Sequence, residues 1–338
     1  MENNLNDRKI IPIVRVEKKT KQLYKFVEWK IHNVCNYDCV YCSSGNKDGS
    51  TRWVTLEQYK QQVEVIVKAA EGIPVWIQLT GGEPTLFPEL MKLLEYIKSF
   101  GIYVSIATNG SRTLRWWKEA SEKNLIDNLI VTFHSDTVKD SSHIIEVLNL
   151  FQDRPTRTFC LITHTFDSFD WALKAQEELV EVTGAVILTK PMRSVDNIYD
   201  FDDYTEDQIN KLKLNDMIMG KLFDSKKQMN VPSELVIEHQ VTVTYEDNST
   251  ENLSPHMLIK NKNNKFKNWM CDTGKDFMLI DGKDIFRGIC RMGGTRKITD
   301  NNLSFTDDFI PCTLDECFCS VDLLSTKINP ELYSLLAK

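Results

Sequence analysis

The chain has 338 residues, of which 42% are hydrophobic and 26% charged, so it can bury one large core or two smaller ones. No apolar run approaches the roughly 18–20 residues of a membrane-spanning helix, and residues 1–9 lack the apolar centre of a signal peptide. The net charge of −7 argues against a nucleic-acid partner, because such binding depends on clustered Lys and Arg. We therefore expect a cytoplasmic protein with no membrane partner.

Strand-like and helix-like segments alternate from Phe26 onward. Short, nearly continuous apolar runs predict six strands, and the segments between them carry apolar residues at helical spacing. The predicted strands are 26–31, 75–80, 102–108, 129–134, 158–163 and 185–190; the predicted helices are 55–71, one with Pro88 in its first turn, 112–123, 141–151 and 169–182. This order predicts an α/β fold with helices outside a parallel sheet, and six units are too few for a full barrel. We therefore predict a partial (βα)6 TIM barrel.

Three further segments complete the predicted organisation. Residues 1–25 are polar and are interpreted as an N-terminal extension, loose or at an edge, before a barrel spanning 26–200. Residues 201–240 predict a helical bridge. In 241–338, strand–turn–strand patterns, one with an Asp281-Gly282 turn, predict a small cysteine-rich α+β domain.

Nine cysteines are many for a chain in a reducing compartment, where clustered thiols indicate a metal or catalysis rather than disulfides. Cys35, Cys39 and Cys42 follow the first predicted strand in a C-x₃-C-x₂-C run, with Tyr41 before the last cysteine. Three thiolates at this spacing can hold three irons of a cubane cluster and leave the fourth iron open. A zinc site is the less favoured alternative, because zinc ligands usually come as matched C-x₂-C pairs.

Two further motifs follow the next two strands. Residues 80–84 read Thr-Gly-Gly-Glu-Pro, and residues 108–110 read Thr-Asn-Gly. Each alone could be an ordinary turn. Together with the cysteine run, and in this order, they make the sequence resemble the radical S-adenosylmethionine (radical SAM) enzymes over about residues 26–190.

The resemblance implies a [4Fe–4S] cluster on Cys35, Cys39 and Cys42 whose open iron is chelated by S-adenosylmethionine. Gly81 and Gly82 would let the backbone approach the methionine part, because they lack side chains. The resemblance also implies that Glu83 accepts a hydrogen bond from the ammonium of S-adenosylmethionine and that Asn109 lines the site.

Polar residues also follow the later strands. The fourth strand is followed by His134-Ser135-Asp136, where the resemblance implies a contact to the ribose of S-adenosylmethionine, with Ser135 as the first candidate and His134 as the second. Lys190 and Arg193, after the sixth strand, could pair with a carboxylate or phosphate of the substrate, or be surface cations.

The C-terminal part resembles the SPASM and twitch domains of radical SAM enzymes, although it has fewer cysteines than the full SPASM pattern. Four ligands suffice for one auxiliary [4Fe–4S] cluster, and a structural zinc site is the alternative. Spacing does not identify the spare cysteine among the five candidates, which are Cys271, Cys290, Cys312, Cys317 and Cys319. Cys160 is interpreted as a small buried hydrophobe, with a hydrogen-atom donor to a substrate radical as the alternative.

The resemblance implies that reductive cleavage of S-adenosylmethionine yields a 5′-deoxyadenosyl radical, which abstracts a hydrogen atom from a substrate C–H bond. A flavodoxin- or ferredoxin-type protein would supply the electron. We expect oxidation, dehydrogenation or rearrangement of a small molecule such as a sugar or cyclitol, or of a peptide. A peptide-modifying epimerase or crosslinking maturase is one alternative. A non-catalytic iron–sulfur or zinc-binding protein is another, and it would not need residues 81–84.

Overall fold

The structure is a computed structural model that describes residues 12–19, 24–165, 167–191, 204–212, 240–292, 296–298, 303–306 and 308–331. Its strands are β1 (Ile13–Lys18), β2 (Lys25–His32), β3 (Val75–Gly81), β4 (Tyr103–Thr108), β5 (Asn128–Phe133), β6 (Arg157–His164), β7 (Val186–Pro191), β8 (Val241–Tyr245), β9 (Thr250–Leu253), β10 (Met270–Cys271), β11 (Phe277–Asp281), β12 (Asp284–Phe286), β13 (Arg296–Lys297), β14 (Ile310–Pro311) and β15 (Lys327–Ile328). Its α-helices are α1 (Leu56–Ala69), α2 (Leu90–Ser99), α3 (Leu114–Glu122), α4 (Ser142–Asn149), α5 (Phe169–Val182), α6 (206–212), α7 (Pro255–Lys260) and α8 (Ser320–Leu323).

The chain divides into two compact units. The barrel unit comprises the described residues of 26–233 together with 280–283, and the cysteine unit comprises those of 1–25, 234–279 and 284–338. None of the described helices is long and apolar enough to cross a membrane.

In the barrel unit, β2 to β7 lie side by side in chain order, and β3 to β7 pair in parallel. From β2 onward the chain alternates strand and helix through α5. The predicted α/β partial barrel is therefore confirmed, and most predicted elements lie within one or two residues of the observed ones. Pro88 is an exception, because α2 begins two residues later, at Leu90.

Helix α1 shows how local sequence sets these elements. The Thr55 hydroxyl accepts the backbone N–H of Gln58, and the Gln58 side chain returns a bond to the Thr55 N–H, forming a capping box. The helix ends before Glu71 and Gly72, both at positive φ. Helix α2 buries one apolar stripe completely, formed by Leu90, Leu93, Leu94 and Ile97. Apolar stripes of this kind cover the outer face of the sheet. The ends of the strands are therefore left to contact other residues.

The cysteine unit contains an antiparallel sheet in the order β14-β10-β15-β1-β8-β9. Strand β1 lies inside this sheet, between β15 and β8, and buries Val14 and Val16 completely. The prediction of a loose or edge element in residues 1–25 is therefore wrong for β1. The alternating pattern IVRVEK is typical of a half-buried strand, but its partners lie far along the chain.

One other sequence prediction concerns the later segments. Most of the predicted helical bridge, 201–240, lies outside the described residues, and 206–212 within it is helical. The basic run 260–267 is interrupted by Phe266, which is 1% exposed and belongs to the core of the cysteine unit. Two of its exposed lysines pair with acids, Lys265 with Glu316 at 3.9 Å and Lys267 with Asp315 at 2.7 Å.

Candidate functional site

The cysteine run lies in the loop between β2 and α1, at the carboxyl end of β2. Burial raises the pKa of the Cys35 and Cys39 thiols. A neighbouring thiolate raises each pKa further: the charge of Cys42 acts on Cys35, and the charge of Cys35 acts on Cys39. The Cys42 N–H donates to the Cys39 carbonyl at 3.1 Å, and the Tyr37 N–H donates to the Cys35 sulfur at 3.4 Å, so one tight loop carries all three thiols. Thiols that resist ionisation become ligands when a metal replaces their protons.

Asn33, on the same loop, was missed by the sequence analysis. Its side-chain amide contacts the Asp48 carboxylate at 2.6 Å and the Gly45 carbonyl at 3.1 Å. The side-chain carbonyl oxygen of Asn33 accepts the Thr51 N–H at 2.7 Å. These bonds close the loop around the three cysteines. An Asn before a cysteine carries no signal by itself, because the same letters are common in turns.

Gly81 and Gly82 lie against the backbone at the start of this loop. The Gly82 N–H donates to the His32 carbonyl, and the Glu83 N–H donates to the Val34 carbonyl, both at 2.8 Å. A Cβ atom on Gly81 would lie 2.0 Å from the His32 carbonyl oxygen, and one on Gly82 would lie 2.2 Å from that of Val34. The two glycines therefore let the end of β3 pack directly on the cysteine loop.

Glu83 is 1% exposed, and its carboxylate accepts four hydrogen bonds. Two come from Thr85, one from the Thr108 hydroxyl at 2.7 Å and one from the Asn109 N–H at 2.6 Å. Burial raises the pKa of Glu83, and these donors oppose that rise. The carboxylate thus joins the end of β3 to the end of β4.

Asn109 extends this connection to the cysteine loop. Its side-chain amide donates to the Asn36 carbonyl oxygen at 2.9 Å, and the Asn36 amide donates to the Ser111 hydroxyl at 2.9 Å. Asn36 lies between Cys35 and Cys39. The motifs 80–84 and 108–110 therefore both bond to the cysteine loop, as their common position at the carboxyl edge of a parallel sheet predicts.

Tyr41 and His134 form a second contact to the loop. The Tyr41 hydroxyl lies 2.5 Å from His134 Nδ1 and 3.3 Å from the Asp136 carboxylate. His134 Nδ1 also lies 3.3 Å from the Cys39 sulfur. Ligand atoms of Cys39, His134 and Asp136 all lie within 4.8 Å of one another. The end of β5 therefore places an imidazole and a carboxylate beside the thiols.

Ser135, the first candidate for a ribose contact, is completely buried. Its hydroxyl donates to the Thr163 carbonyl and lies 2.6 Å from the Ser168 hydroxyl, and its N–H donates to the Thr163 hydroxyl at 3.1 Å. These bonds join the ends of β5 and β6 to the start of α5. His134 and Asp136, on either side, are the partly exposed residues here.

Cys160 lies in the middle of β6 and is 0% exposed, and burial raises its pKa to about 12. Alternate residues of a strand share a face, and His164, of the same parity, contacts the Phe169 ring of α5. Cys160 therefore faces the helical layer. This placement matches the interpretation as a buried hydrophobe and gives no support to a hydrogen-atom donor.

Lys190 and Arg193 are not placed at the site by the structure. Lys190 belongs to β7, but its side chain lies outside the described residues, as does the whole of Arg193.

A second group of thiols lies in the cysteine unit. Burial raises the pKa of Cys271, Cys290 and Cys317, to about 12 for Cys290, and charges on neighbouring thiolates raise it further. Cys312 contributes in this way to Cys271, and Cys271 to both Cys290 and Cys317. Cys290, Cys312 and Cys317 pack in one core cluster, and Cys271 lies on β10, which pairs with β14 just before Cys312. Cys319 is partly exposed and occupies the N-cap position of α8 without a side-chain capping bond.

The loop that carries Cys290 is held from α8. The Asp322 carboxylate accepts the Ile289 N–H at 3.2 Å and the Cys290 N–H at 2.8 Å. A Cβ atom on Gly288 would lie 2.5 Å from the Asp322 carboxylate. The approach of this carboxylate to the loop thus depends on a glycine before Cys290.

A partial (βα)6 barrel with a three-thiol loop at its carboxyl edge defines a class of barrel proteins built around an iron–sulfur cluster. The family model described as Radical SAM superfamily matches residues 29–201, about half of the chain. The chain therefore belongs to the radical SAM superfamily. Membership implies a [4Fe–4S] cluster and S-adenosylmethionine, and three clustered cysteine thiols are a donor set that fits such a cluster.

Curated relatives match only part of this chain. A probable GTP 3',8-cyclase of Thermococcus kodakarensis is 31% identical over 30% of this chain and 32% of its own length. That of Sulfurisphaera tokodaii is 27% identical over 56% of each chain. The mycofactocin maturase MftC of Mycobacterium ulcerans is 32% identical over 25% of this chain and 22% of its own. The chain thus spans about half or less of the length of these relatives.

Solved structures share the fold over more of the chain. SuiB of Streptococcus suis bound to S-adenosylmethionine has a TM-score of 0.51 at 13% identity, covering 85% of this chain and 64% of that one. SuiB bound to its precursor peptide SuiA has a TM-score of 0.52 at 12% identity, covering 85% and 65%. At this identity the likeness concerns the fold alone.

Proposed function

We propose that Cys35, Cys39 and Cys42 hold the radical SAM cluster and that the protein uses it to abstract a hydrogen atom from a substrate C–H bond. When bound, the cluster and S-adenosylmethionine supply a 5′-deoxyadenosyl radical. The observation that carries the proposal is the connection of the three-thiol loop to residues 81–84 and 108–110 by direct hydrogen bonds.

The protein's own residues would hold and orient these groups. Asn33 closes the loop, and Glu83 fixes the ends of β3 and β4 beneath it. Because Glu83 is 1% exposed and accepts four internal hydrogen bonds, we propose that it acts by positioning Asn109 and the loop. His134 and Asp136, partly exposed beside Cys39, are the polar groups we propose for contacts to S-adenosylmethionine.

We also propose an auxiliary [4Fe–4S] cluster on Cys271, Cys290, Cys312 and Cys317. The burial of Cys271, Cys312 and Cys317 and the packing of Cys290 in the same core cluster as Cys312 and Cys317 support it. Cys319, partly exposed at the start of α8, is then the spare cysteine. A flavodoxin- or ferredoxin-type protein is the proposed electron donor, because reductive cleavage needs one electron from outside.

Two substrate classes remain as candidates. A peptide is favoured by the likeness to SuiB, whose fold resembles this chain over 85% of its length and which has been solved with a precursor peptide. A small molecule is favoured by the relatives named as GTP 3',8-cyclases. Deuterium transfer from labelled candidates of each class into 5′-deoxyadenosine, measured by mass spectrometry, would identify the class.

The activity is tested with protein whose clusters have been reconstituted anaerobically and reduced in the presence of S-adenosylmethionine. We expect 5′-deoxyadenosine, and none above background from Cys39→Ala. Equal amounts from both proteins, or none from either, would mean that this loop does not carry the chemistry.

The auxiliary cluster is tested by iron analysis of the same protein. Two cubanes require about eight irons per chain. Replacing Cys317 by Ala should remove about half of them, whereas Cys319→Ala should retain them. The reverse pattern, or about four irons together with one zinc, would contradict the assignment.

A further inference from the structure

Lys327 faces the proposed auxiliary site from within the sheet of the cysteine unit. It lies on β15, directly opposite Cys271 of β10 in the antiparallel register. Side chains of directly opposed residues leave the same face of a sheet, with Cβ atoms about 4.5–5.5 Å apart. The lysine side chain therefore projects on the same side as the Cys271 thiol.

This lysine is buried to an unusual degree, because only 1% of it is exposed. Its ammonium donates to the carbonyls of Asp322 and of Ser325, the latter at 3.0 Å, and lies 5.4 Å from the centre of the Phe266 ring. Carbonyl oxygens and a ring face carry only partial charges. A buried ammonium is costly unless a full negative charge lies close by.

The carboxylates of Asp322 and Asp272 lie near enough to Lys327 to interact with its charge. Asp322 accepts the backbone N–H groups of Ile289 and Cys290, and Asp272 accepts that of Thr326 at 2.6 Å. Among the described residues, no carboxylate forms an ion pair with Lys327 within 4.0 Å. The charge that would balance this ammonium is therefore not a carboxylate in direct contact.

The thiols lie on the same side of this lysine. Cys271 is opposite Lys327 in the sheet, and the Phe266 ring under the ammonium belongs to one core cluster with Cys290, Cys312 and Cys317. A cation in this place stabilises the thiolates that would hold a metal.

We propose that Lys327 is the buried counter-charge of the iron–sulfur cluster on Cys271, Cys290, Cys312 and Cys317, and that it sets the reduction potential of this cluster. The inference rests on the proposed auxiliary site. A cubane with four thiolates has a net negative charge that grows on reduction, so a fixed cation nearby favours the reduced state. Lys327 thus acts on the reduction potential through its charge and is not a ligand of the cluster.

The test isolates the auxiliary cluster in a protein in which Cys35, Cys39 and Cys42 are replaced by Ala. Redox titration followed by electron paramagnetic resonance then reports one cluster. In this background, Lys327→Met should shift the equilibrium toward the oxidised cluster by at least tenfold, which is 59 mV for a one-electron couple. Lys327→Arg should keep most of the original potential.

Lys267→Met is the matched control, because Lys267 is in the same unit and its side chain is 57% exposed. It should leave the potential unchanged.

An unchanged potential in Lys327→Met overturns the role of Lys327 while leaving the auxiliary cluster intact. Absence of any cluster in the background protein, with Lys327 present, overturns the auxiliary site itself. If Lys327→Met loses the cluster and Lys327→Arg keeps it, the need for a cation is supported; loss in both counts against a charge role.

Discussion

At the residue scale, Gly82 leaves no room for a side chain beside the cysteine loop. A Cβ atom there would lie 2.2 Å from the Val34 carbonyl oxygen, which no real contact allows. We predict that Gly82→Ala lowers the free energy of unfolding by about 1–3 kcal/mol, the usual cost of overpacking, and speeds the loss of iron to a chelator. Both are measured on anaerobic protein, by urea unfolding and by chelator absorbance.

Gly45 provides the matched control for that change. It lies in the same loop, at a negative φ, and a Cβ atom there would meet nothing within 4 Å. Gly45→Ala should therefore leave both measurements unchanged. Equal effects of the two substitutions would show that the loop is sensitive to side chains in general rather than to the contact with Val34.

Glu83 yields a second prediction at this scale. In Glu83→Gln, one carboxylate oxygen becomes an NH₂ group, which cannot accept a hydrogen bond. This group would face either the Asn109 N–H, now bonded to Oε2 at 2.6 Å, or the Thr85 and Thr108 donors, now bonded to Oε1. Leaving buried donors unmatched should cost about 1–3 kcal/mol of unfolding free energy, read from the urea midpoint. Glu89→Gln, at a side chain that is 43% exposed, should change it by less than about 0.5 kcal/mol. Similar losses in both variants would refute the internal role of Glu83.

The cofactor contacts of Gly81, Gly82, Glu83 and Asn109 stay predictions. The sequence placed these residues at the ends of strands, and the structure brings them to the cysteine loop. The sequence did not distinguish a donor that faces a ligand from one used inside the protein, which depends on strand register and loop path. Ser135 shows this, because its hydroxyl turns toward β6 and α5.

At the scale of elements, helix α1 depends on its capping box at Thr55. We predict that Thr55→Ala lowers the free energy of unfolding by about 1 kcal/mol, the usual value of an N-cap hydroxyl. Thr113 begins α3 without a side-chain capping bond, so Thr113→Ala should cost clearly less. Chemical denaturation of the two variants side by side measures the difference, and a larger loss for Thr113→Ala would contradict the capping argument.

Elements with local signals were predicted, and those with distant partners were not. The strands and helices of the barrel unit can be predicted from the apolar periodicity within each segment. Strand β1 carries an alternating pattern too, but nothing in residues 13–18 reveals pairing with β8 and β15. Likewise the choice between Cys317 and Cys319 depends on the fold around them, because both lie in one short run.

For the whole molecule, buried histidines make stability depend on pH. Burial lowers the pKa of His32 and of His164 to about 4, below the value near 6.5 of an unfolded chain. Between these values the unfolded state binds protons that the native state does not, so stability falls as pH falls from about 6.5 to about 4. Each histidine should remove up to about 3 kcal/mol over that window.

The variant His164→Asn tests this dependence, because its amide can still donate to the Ile162 carbonyl that Nδ1 contacts at 3.0 Å. Melting temperatures measured from pH 7.5 down to pH 5 should fall less steeply in this variant than in the original protein. Parallel curves would show that His164 is already protonated in the native state or plays no part in the transition.

The pairing of β1 with β15 has a consequence for synthesis of the protein. These strands come from opposite ends of the described sequence, yet they are neighbours in one sheet. On the ribosome, the six strands of the barrel can assemble once residue 191 has emerged, because domains fold as they appear. Strand β1 must wait, unpaired on its β15 side, until residues 327–328 are translated. The group of Cys35, Cys39 and Cys42 is therefore complete before Cys271, Cys290, Cys312 and Cys317 have been translated.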